Sequence, residues 1–283
     1  MMQKAKNIST TGLIGLVIVA TVIIAALVSF VWTPYDPIHA IPADRLQGSS
    51  FRHLMGTDRY GRDVFSQMMA GSRITLLVGV VAVGIAATLG TPLGVFAGMK
   101  GGWADRLIMR ISDVMLAFPA LLLAIITGAM FGTSTTTAMV AIGVASIPSF
   151  ARVARAGTRQ VMSKDFILAA TSARLPGWRI AIKHVLPNIM GMLIVQSSVA
   201  FALAILAEAA LSFLGLGTPP PEPSWGRLLQ NAQASLASAP MLAVWPGLTI
   251  AITVFGFNVA GDGLRDIFDP KAQRAVNVSE LEV

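Results

Sequence analysis

Six long apolar runs constrain the fold of this chain most strongly, because each is long enough to cross a bilayer. A spanning helix needs about 20 mostly apolar residues at a rise of about 1.5 Å per residue. The runs occupy roughly Thr11–Trp32, Ile74–Met99, Leu107–Phe131, Thr135–Ala154, Ile189–Leu214 and Met241–Ala260. The sequence therefore predicts an all-α integral membrane protein with six transmembrane helices.

The composition agrees with a membrane environment. Of the residues, 54% are hydrophobic and 12% are charged, whereas soluble domains carry about 25% charged residues. The mean hydropathy is +0.70. The formal charge of +7 would suggest nucleic acid if the basic residues formed one face. They are instead spread between the apolar runs, so we expect contact with membrane lipid and no nucleic acid partner.

Several kinds of chemistry are missing from the sequence. There is no Cys, and the three His are far apart, so neither a thiolate site nor a metal cluster is predicted. No G-x-x-x-x-G-K-[ST] phosphate loop and no hydrolytic arrangement of Ser, His and Asp is found. We expect no catalytic residue, no metal and no cofactor bound by this chain.

The placement of basic residues predicts the orientation. Fifteen of the 21 Lys and Arg fall on one side of a six-helix arrangement, including Lys4, Lys6, Lys271 and Arg274. The other six are Arg45, Arg52, Arg59, Arg62, Arg73 and Arg227. By the positive-inside rule, both termini are cytoplasmic. The first run could be a cleaved signal peptide, but it is longer than the 7–15 residues of a signal core, so a retained helix is favoured.

Small residues recur every fourth position in the second run and lie along one helix face. They are Ala82, Ala86, Gly90, Gly94 and Gly98. Close packing of helices in lipid depends on such residues. The stripe is interpreted as packing within the chain or, alternatively, as part of a face that meets a second subunit.

Glu208 is the ionisable residue deepest in a predicted span. A carboxylate there is costly, so it should face the bundle interior or a wet cavity. Two interpretations stay open: it lines a translocation pathway, or it is buried and fixes helix packing or lies near the outer boundary.

Two segments are predicted on the extracytoplasmic side. Gly215–Pro240 contains consecutive prolines and Trp225. It predicts a short structured excursion that partly re-enters the outer leaflet or covers the pore mouth or, alternatively, a rigid connector with no partner. The second segment carries Asp58, Arg59, Arg62 and Asp63 close together. We expect these charges to form a self-paired, solvated surface.

The polar stretch Asp165–Asn188 interrupts the apolar pattern. It contains an Ala-Ala pair, a Pro-Gly turn and a closing Leu-Pro. This predicts two short helices outside the bilayer that dock on another protein. The alternative is a basic amphipathic segment attracted to anionic lipid, although lipid attraction does not require those residues at set positions.

Four segments in series resemble one family of transport proteins, the permeases of dipeptide, oligopeptide and nickel ABC importers, and within it the second of the two paired subunits. They are HLMGTDRYGRDVFS, TPLGVFAGMKGGWADRLIMRISDVMLAFPALLLAI, the Asp165–Asn188 stretch and AEAALSFLGLGTPPPEPSWGRLL. The resemblance runs from about His53 to Pro270. It implies a type I importer permease fold, and the first helix and the tail after Pro270 are generic. We expect residues 1–73 to hold an N-terminal tail, the first helix and an extracytoplasmic segment, 74–270 to form the five-helix core with a coupling loop at 163–188, and 271–283 to form a cytoplasmic tail.

The resemblance also implies partners and site residues. The partners would be a homologous second permease, an extracytoplasmic binding protein, and two cytoplasmic ATPase subunits that bind ATP and Mg. The location would be the bacterial inner membrane. The coupling-loop residues that it implies are Asp165, Leu168, Ala169, Ala170, Arg174, Pro176, Gly177, His184, Leu186 and Pro187. By this interpretation, Ala170→Arg would preserve insertion and abolish coupling.

Three positions depart from the general coupling motif. Leu168 replaces a Glu, Arg174 a Gly and His184 an Ile. Since Arg adopts positive φ poorly, the turn is predicted to move to Pro176-Gly177.

The cargo implied by the resemblance is di- or oligopeptides, with nickel chelates, glutathione-like peptides or other small solutes as alternatives. A gradient-driven transporter or channel is a different class. It would usually show inverted repeats and intramembrane charges for a coupling ion.

Overall fold

The computed structural model describes residues 10–268, with side chains to Arg265. Lys4, Lys6, Lys271, Arg274 and the predicted tail 271–283 lie outside the described residues. Within them the chain folds into α-helices joined by turns and contains no named strand. The helices are α1 (Thr10–Ser29), α2 (Val64–Lys100), α3 (Gly102–Ala117), α4 (Ala120–Phe131), α5 (Thr135–Met162), α6 (Asp165–Ser172), α7 (Gly177–Ile180), α8 (Leu186–Phe213), α9 (Trp225–Ala232) and α10 (Met241–Phe268).

Five of the six predicted spans correspond to helices long and apolar enough to cross a membrane. Helices extend beyond the apolar runs because polar residues continue them outside the hydrocarbon core. For example, α2 begins at Val64 rather than Ile74, where Asp63 caps the helix by accepting a hydrogen bond from the Ser66 amide at 2.7 Å. Side-chain capping of a free backbone N–H favours a start at that point.

The third span is not the straight helix predicted over Leu107–Phe131. It consists of α3 and α4, whose axes are bent by 81° at a short break. Phe118 is extended (φ −90°, ψ 129°) and Pro119 follows it. Proline has no N–H to donate and disfavours helical geometry in the residue before it, so the helix must break there.

The bent pair nevertheless runs from one end of the bundle to the other. Near the start of α3, Asp105 contacts Arg159 at the C-terminal end of α5, at 2.8 Å. After α4, Thr135 at the opposite end of α5 lies 3.4 Å from Thr218, beyond the end of α8. Because α5 is itself long enough to cross a membrane, the pair also crosses. Counted over the described residues, this makes six crossings, as the sequence predicts.

Helix α2 packs on α5 at backbone distance along the predicted small-residue stripe. A Cβ added at Gly90 would lie 2.7 Å from the Cβ of Phe150, and one added at Gly94 would lie 2.7 Å from the Cβ of Ala154. Ala82 and Ala86 are buried, and Gly98 meets Thr158 of α5. The structure therefore places the stripe against α5 of the same chain.

Helix α1 packs equally closely on α10. A Cβ at Gly15 would come within 2.9 Å of the Gly256 carbonyl oxygen, and one at Gly263 within 2.6 Å of the Cα of Gly12. At the far end of α1, the Arg73 guanidinium donates to the Ser29 hydroxyl at 2.6 Å. These contacts make the first helix an integral part of the bundle, as expected for a retained helix.

The α2–α5 contact predicts a difference between two glycines on the same helix. Gly94→Val should destabilise the protein by about 1–3 kcal/mol, because the added atoms overlap α5. Gly84→Val is the matched control, since a Cβ there meets nothing within 4 Å and the change in helix propensity is the same. Thermal unfolding in mild detergent would measure both, and equal midpoints for the two variants would contradict the packing role.

Candidate functional site

The Asp165–Asn188 stretch forms one short helix and an extension of a membrane helix. α6 is separate, but α7 continues through a π turn at Ala181–Val185 directly into α8. The two predicted short helices are present, but the second is continuous with the membrane helix that follows it. Pro187 explains the π turn: it lacks an N–H, and the widened turn before it, where Leu186 donates to Ala181, absorbs the break in the hydrogen-bond ladder.

Arg174 itself forms the turn after α6. Its φ is +53°, its amide donates to the Thr171 carbonyl at 2.9 Å, and the Leu175 amide donates to the Ala170 carbonyl at 3.2 Å. This pair of bonds is a Schellman motif, which places its left-handed residue where Gly is preferred. The predicted move of the turn to Pro176-Gly177 is wrong, since Gly177 begins α7 in helical geometry.

One face of the segment is anchored in the bundle core. Ile167 and Ala170 of α6, Ile180 of α7 and Val185 of the π turn are all buried. They belong to one apolar cluster, whose other members include Val95 of α2, Phe150 and Val161 of α5, and Ile189 of α8. The segment is thus attached to three membrane helices as a rigid unit.

The opposite face exposes large apolar side chains. Leu168 is 63% exposed and Trp178 is 61% exposed. We use the name docking face for the exposed residues on this side, which are Phe166, Leu168, Ala169, Trp178 and Ile182. Exposed basic residues flank it, namely Arg174, Arg179 and Lys183. Contiguous exposed apolar surface rimmed by polar residues is typical of protein or membrane contacts.

The two alanines of the Ala-Ala pair have different environments. Ala169 is exposed, whereas Ala170 is 7% exposed and packs into the core cluster. This changes the expected effect of Ala170→Arg, which would disrupt the anchored face instead of leaving the fold intact. Burial could not be assigned from the sequence, because both positions carry the same small residue.

The remaining predicted residues of the segment occupy its ends and turns. Asp165 lies in the first turn of α6, where a carboxylate favours the helix N-terminus. The His184 ring lies 6.2 Å from that of Phe166 and links the π turn to α6. Pro176 precedes α7, and Leu186 with Pro187 begins α8.

Glu208 is enclosed within the chain near the far end of α8. The side chain is 1% exposed, and Oε1 accepts a hydrogen bond from the Ser212 hydroxyl at 2.7 Å. Ser212 in turn accepts from the Thr218 amide at 3.0 Å. Next to this carboxyl, Gly226 of α9 approaches α8 so closely that a Cβ there would lie 2.7 Å from the Cα of Ala209.

This geometry favours the second interpretation of Glu208, in which it fixes packing near the outer boundary. The loop that covers it is held in place by Trp225, whose Nε1 donates to the Met68 carbonyl at 3.0 Å. The second carboxyl oxygen, Oε2, is buried and has no hydrogen-bond partner among the described residues, and the pathway role stays a prediction.

Sequence reasoning missed an ion-pair cluster at the end of the bundle that carries the Asp165–Asn188 stretch, which we call the coupling segment after its proposed role. The buried carboxylate of Asp105 in α3 accepts hydrogen bonds from Arg155 and Arg159. Arg155 donates through Nε and, at 2.7 Å, through Nη2, and Arg159 donates at 2.8 Å. A second, exposed pair joins Asp113 to Arg152 at 2.5 Å. The spacing of the three arginines along one face of α5 could have signalled this contact.

The cluster predicts unequal effects for two matched substitutions on α3. Asp105→Asn should destabilise the protein by about 1–2 kcal/mol, because the carboxylate is buried while its arginine partners are partly solvated. Asp113→Asn removes an exposed pair and should cost less than about 1 kcal/mol. Unfolding midpoints of the purified variants would test this, and a larger loss for Asp113→Asn would contradict it.

The turn at Arg174 predicts a stabilising substitution. Arg174→Gly should raise stability by about 1 kcal/mol, because Gly adopts positive φ without the steric cost that an L side chain carries. The measurement is the unfolding midpoint, with Arg179→Gly, which lies in α7, as the control that should lower it. A lower midpoint for Arg174→Gly would show that the arginine side chain stabilises the turn.

Comparison with known proteins gives a consistent result. The profile of a family described as binding-protein-dependent transport system inner membrane component matches residues 90–274. The dipeptide transport system permease protein DppC of Alkalihalophilus pseudofirmus is 42% identical over 95% of this chain and 88% of its own length. The glutathione transport system permease protein GsiD of Pectobacterium atrosepticum is 43% identical over 84% of this chain and 79% of its own length.

The fold is similar to that of a solved transporter. A chain of the MetNI methionine ABC transporter, in an inward-facing form, superposes with a TM-score of 0.60, covering 72% of this chain and 96% of that one at 18% identity. At this identity the likeness concerns the fold, and it confirms the predicted type I permease architecture. The chain therefore belongs to the family of binding-protein-dependent transport system inner membrane components, the non-catalytic membrane subunits of ABC importers, in which ATP hydrolysis belongs to separate subunits.

Proposed function

We propose that this chain is one half of the translocation pathway of an ATP-driven importer for di- or oligopeptides. The observation that carries the proposal is the coupling segment, which presents an exposed apolar docking face while its other face is buried among α2, α5 and α8. A segment that contacts another protein through one face and the membrane helices through the other can transmit force between them.

The docking face would bind one of two cytoplasmic ATPase subunits, and these would bind ATP and Mg. Leu168, Trp178 and Ile182 offer apolar contact, and Arg179 and Lys183 can reach acidic groups at the rim. The docking face combines residues of α6 with residues of α7 and the π turn, and a tight turn joins the two parts. It is therefore compact enough to fit a cleft on another protein. A homologous permease would supply the second docking face.

Movement would pass from the docking face to the membrane as rigid-body motion. Ile167, Ala170 and Ile180 are packed against residues of α2, α5 and α8 in one cluster. Packed cores transmit displacement because their side chains have few alternative arrangements. Closure of the ATPases would therefore move these three helices together.

The distribution of basic residues supports the orientation that we propose. The coupling segment and both termini would be cytoplasmic, and the segments around Asp58 and Trp225 would face the opposite side. An extracytoplasmic binding protein would deliver cargo there. The location would be the bacterial inner membrane, with the chain in contact with lipid.

The cargo proposal rests on the relatives, one named for dipeptide and one for glutathione transport. Nickel chelates or another small solute are alternatives within the same machinery. Co-purification would test the composition: tagged protein in mild detergent should carry a second permease and two ATPase chains. In liposomes, peptide uptake should require ATP and the binding protein. Flux from this chain alone would instead support a gradient-driven transporter or channel.

The docking assignment predicts different effects for the neighbouring alanines. Ala169→Arg should leave folding and pairing intact but lower ATP-driven uptake about tenfold or more, because a long charged side chain then occupies a packed contact. Ala170→Arg should lower the yield of folded protein, because that position is in the core. The measurements are uptake in proteoliposomes and recovery by size-exclusion chromatography.

Ala156→Arg on α5 is the matched control, since Ala156 is exposed and outside the coupling segment. It should retain uptake. Full uptake by Ala169→Arg would contradict docking through this face. Retained ATPase binding together with stronger association with anionic lipid in that variant would favour the lipid-surface alternative.

A further inference from the structure

A cavity of about 300 Å³ opens at the end of the bundle opposite the coupling segment. It lies between the two extracytoplasmic segments of the chain. Its polar lining includes Arg59, Arg62, Arg227 and Glu222, and its apolar lining includes Ile38 and Leu228. The size is at the small end of the range for ligand sites.

One wall is a tight loop that holds two arginines in place. Asp58 Oδ1 accepts from the amides of Tyr60 at 2.8 Å and Arg62 at 3.0 Å, and Gly61 has a φ of +79°. Both guanidinium groups pack on the Tyr60 ring, with the central carbon of Arg59 4.7 Å and that of Arg62 4.9 Å from the ring centroid. These contacts orient both side chains before any ligand arrives.

The other wall is α9 and the proline-rich turn before it. Ser224 caps α9 by accepting from the Arg227 amide at 3.2 Å. Trp225 fastens the helix to α2 through its bond to the Met68 carbonyl. Arg227 therefore projects from an anchored helix, and the cavity is built from two walls that are each fixed independently.

The charges of the lining are not balanced. Asp58 neutralises Arg62, with Oδ2 accepting at 2.7 Å. Arg59 and Arg227 have no ion pair within the described residues, and the buried Nε of Arg59 has no hydrogen-bond partner there. The prediction of a self-paired surface is thus only partly confirmed. Asp58 pairs with Arg62, and Asp63 pairs with His53 at 2.9 Å, but Arg59 has no ion pair among the described residues.

We propose that this cavity binds the carboxylate of a small amphipathic ligand, such as the terminal carboxylate of a short peptide, through Arg59 and Arg227. Guanidinium groups present paired donors that match the two oxygens of a carboxylate. Glu222 in the same lining opposes a dianion, so a singly charged group fits better than phosphate. The prolines and Leu228 provide an apolar surface for the rest of the ligand.

The peptide identity rests on the proposed function, but the carboxylate assignment stands on the cavity itself. If the chain imports peptides, the site lies on the side where cargo is released to the membrane subunits. Ligand binding measured without ATP or partner subunits separates the carboxylate site from the proposed import function. If the chain did not couple to ATPases, the measured binding would be unchanged.

The test measures binding of radiolabelled dialanine to the full-length chain in detergent, alongside its C-terminal amide. Dialanine should bind saturably, and the amide about tenfold or more weakly, because the charge-assisted bonds are lost. Arg59→Gln and Arg227→Gln should weaken dialanine binding to a similar extent. Arg45→Gln, at an exposed arginine of the same side outside the cavity, should not.

A variant that should bind more tightly provides a control for misfolding, since a misfolded protein would bind less. Glu222→Gln should tighten the binding of N-acetylated dialanine, which carries the carboxylate without the ammonium group, because the change removes an acidic group of the lining. Equal binding of dialanine and its amide, equal losses with Arg45→Gln, or tighter binding of inorganic phosphate would overturn the proposal. So would arginine variants that weaken only the association with a binding protein, since the cavity would then be a protein contact.

Discussion

The close contact between α2 and α5 is the interaction on which the other parts of the structure depend. Gly90 and Gly94 allow the two backbones to approach until an added methyl group would overlap the facing helix. In lipid, burial of apolar area contributes little to helix association, so van der Waals packing at this distance supplies much of the attraction. Both ends of the bundle are built on these two helices.

At one end, the pair supports the coupling segment. Val95 of α2 and Phe150 of α5 belong to the cluster that buries Ile167 and Ala170. The ion pairs from Asp105 to Arg155 and Arg159 join α3 to the same end of α5. A force applied to the docking face would therefore reach α2, α3, α5 and α8 together.

At the other end, the structure is polar and largely self-paired. Asp63 caps α2 and also contacts His53, and Trp225 ties α9 to the backbone of α2. These bonds hold two loops against the membrane helices and leave the arginine-lined cavity between them. The chain thus combines an exposed apolar face at one end with a charged recess at the other.

Much of this architecture follows from the sequence, because membrane spans are set by run length and helix faces by residue spacing. The apolar runs, the small-residue stripe and the polar interruption at Asp165–Asn188 were all assigned that way, and the resemblance supplied the family. The bend at Pro119 and the left-handed turn at Arg174 have local causes, a proline and hydrogen bonds within residues 170–175. Tertiary structure decided what local patterns cannot specify. It buried Ala170 while exposing Ala169. Among the described residues, it also left Arg59 and Arg227 without ion pairs. Those outcomes depend on which side chains meet across distant segments, and that information appears only when the helices are packed.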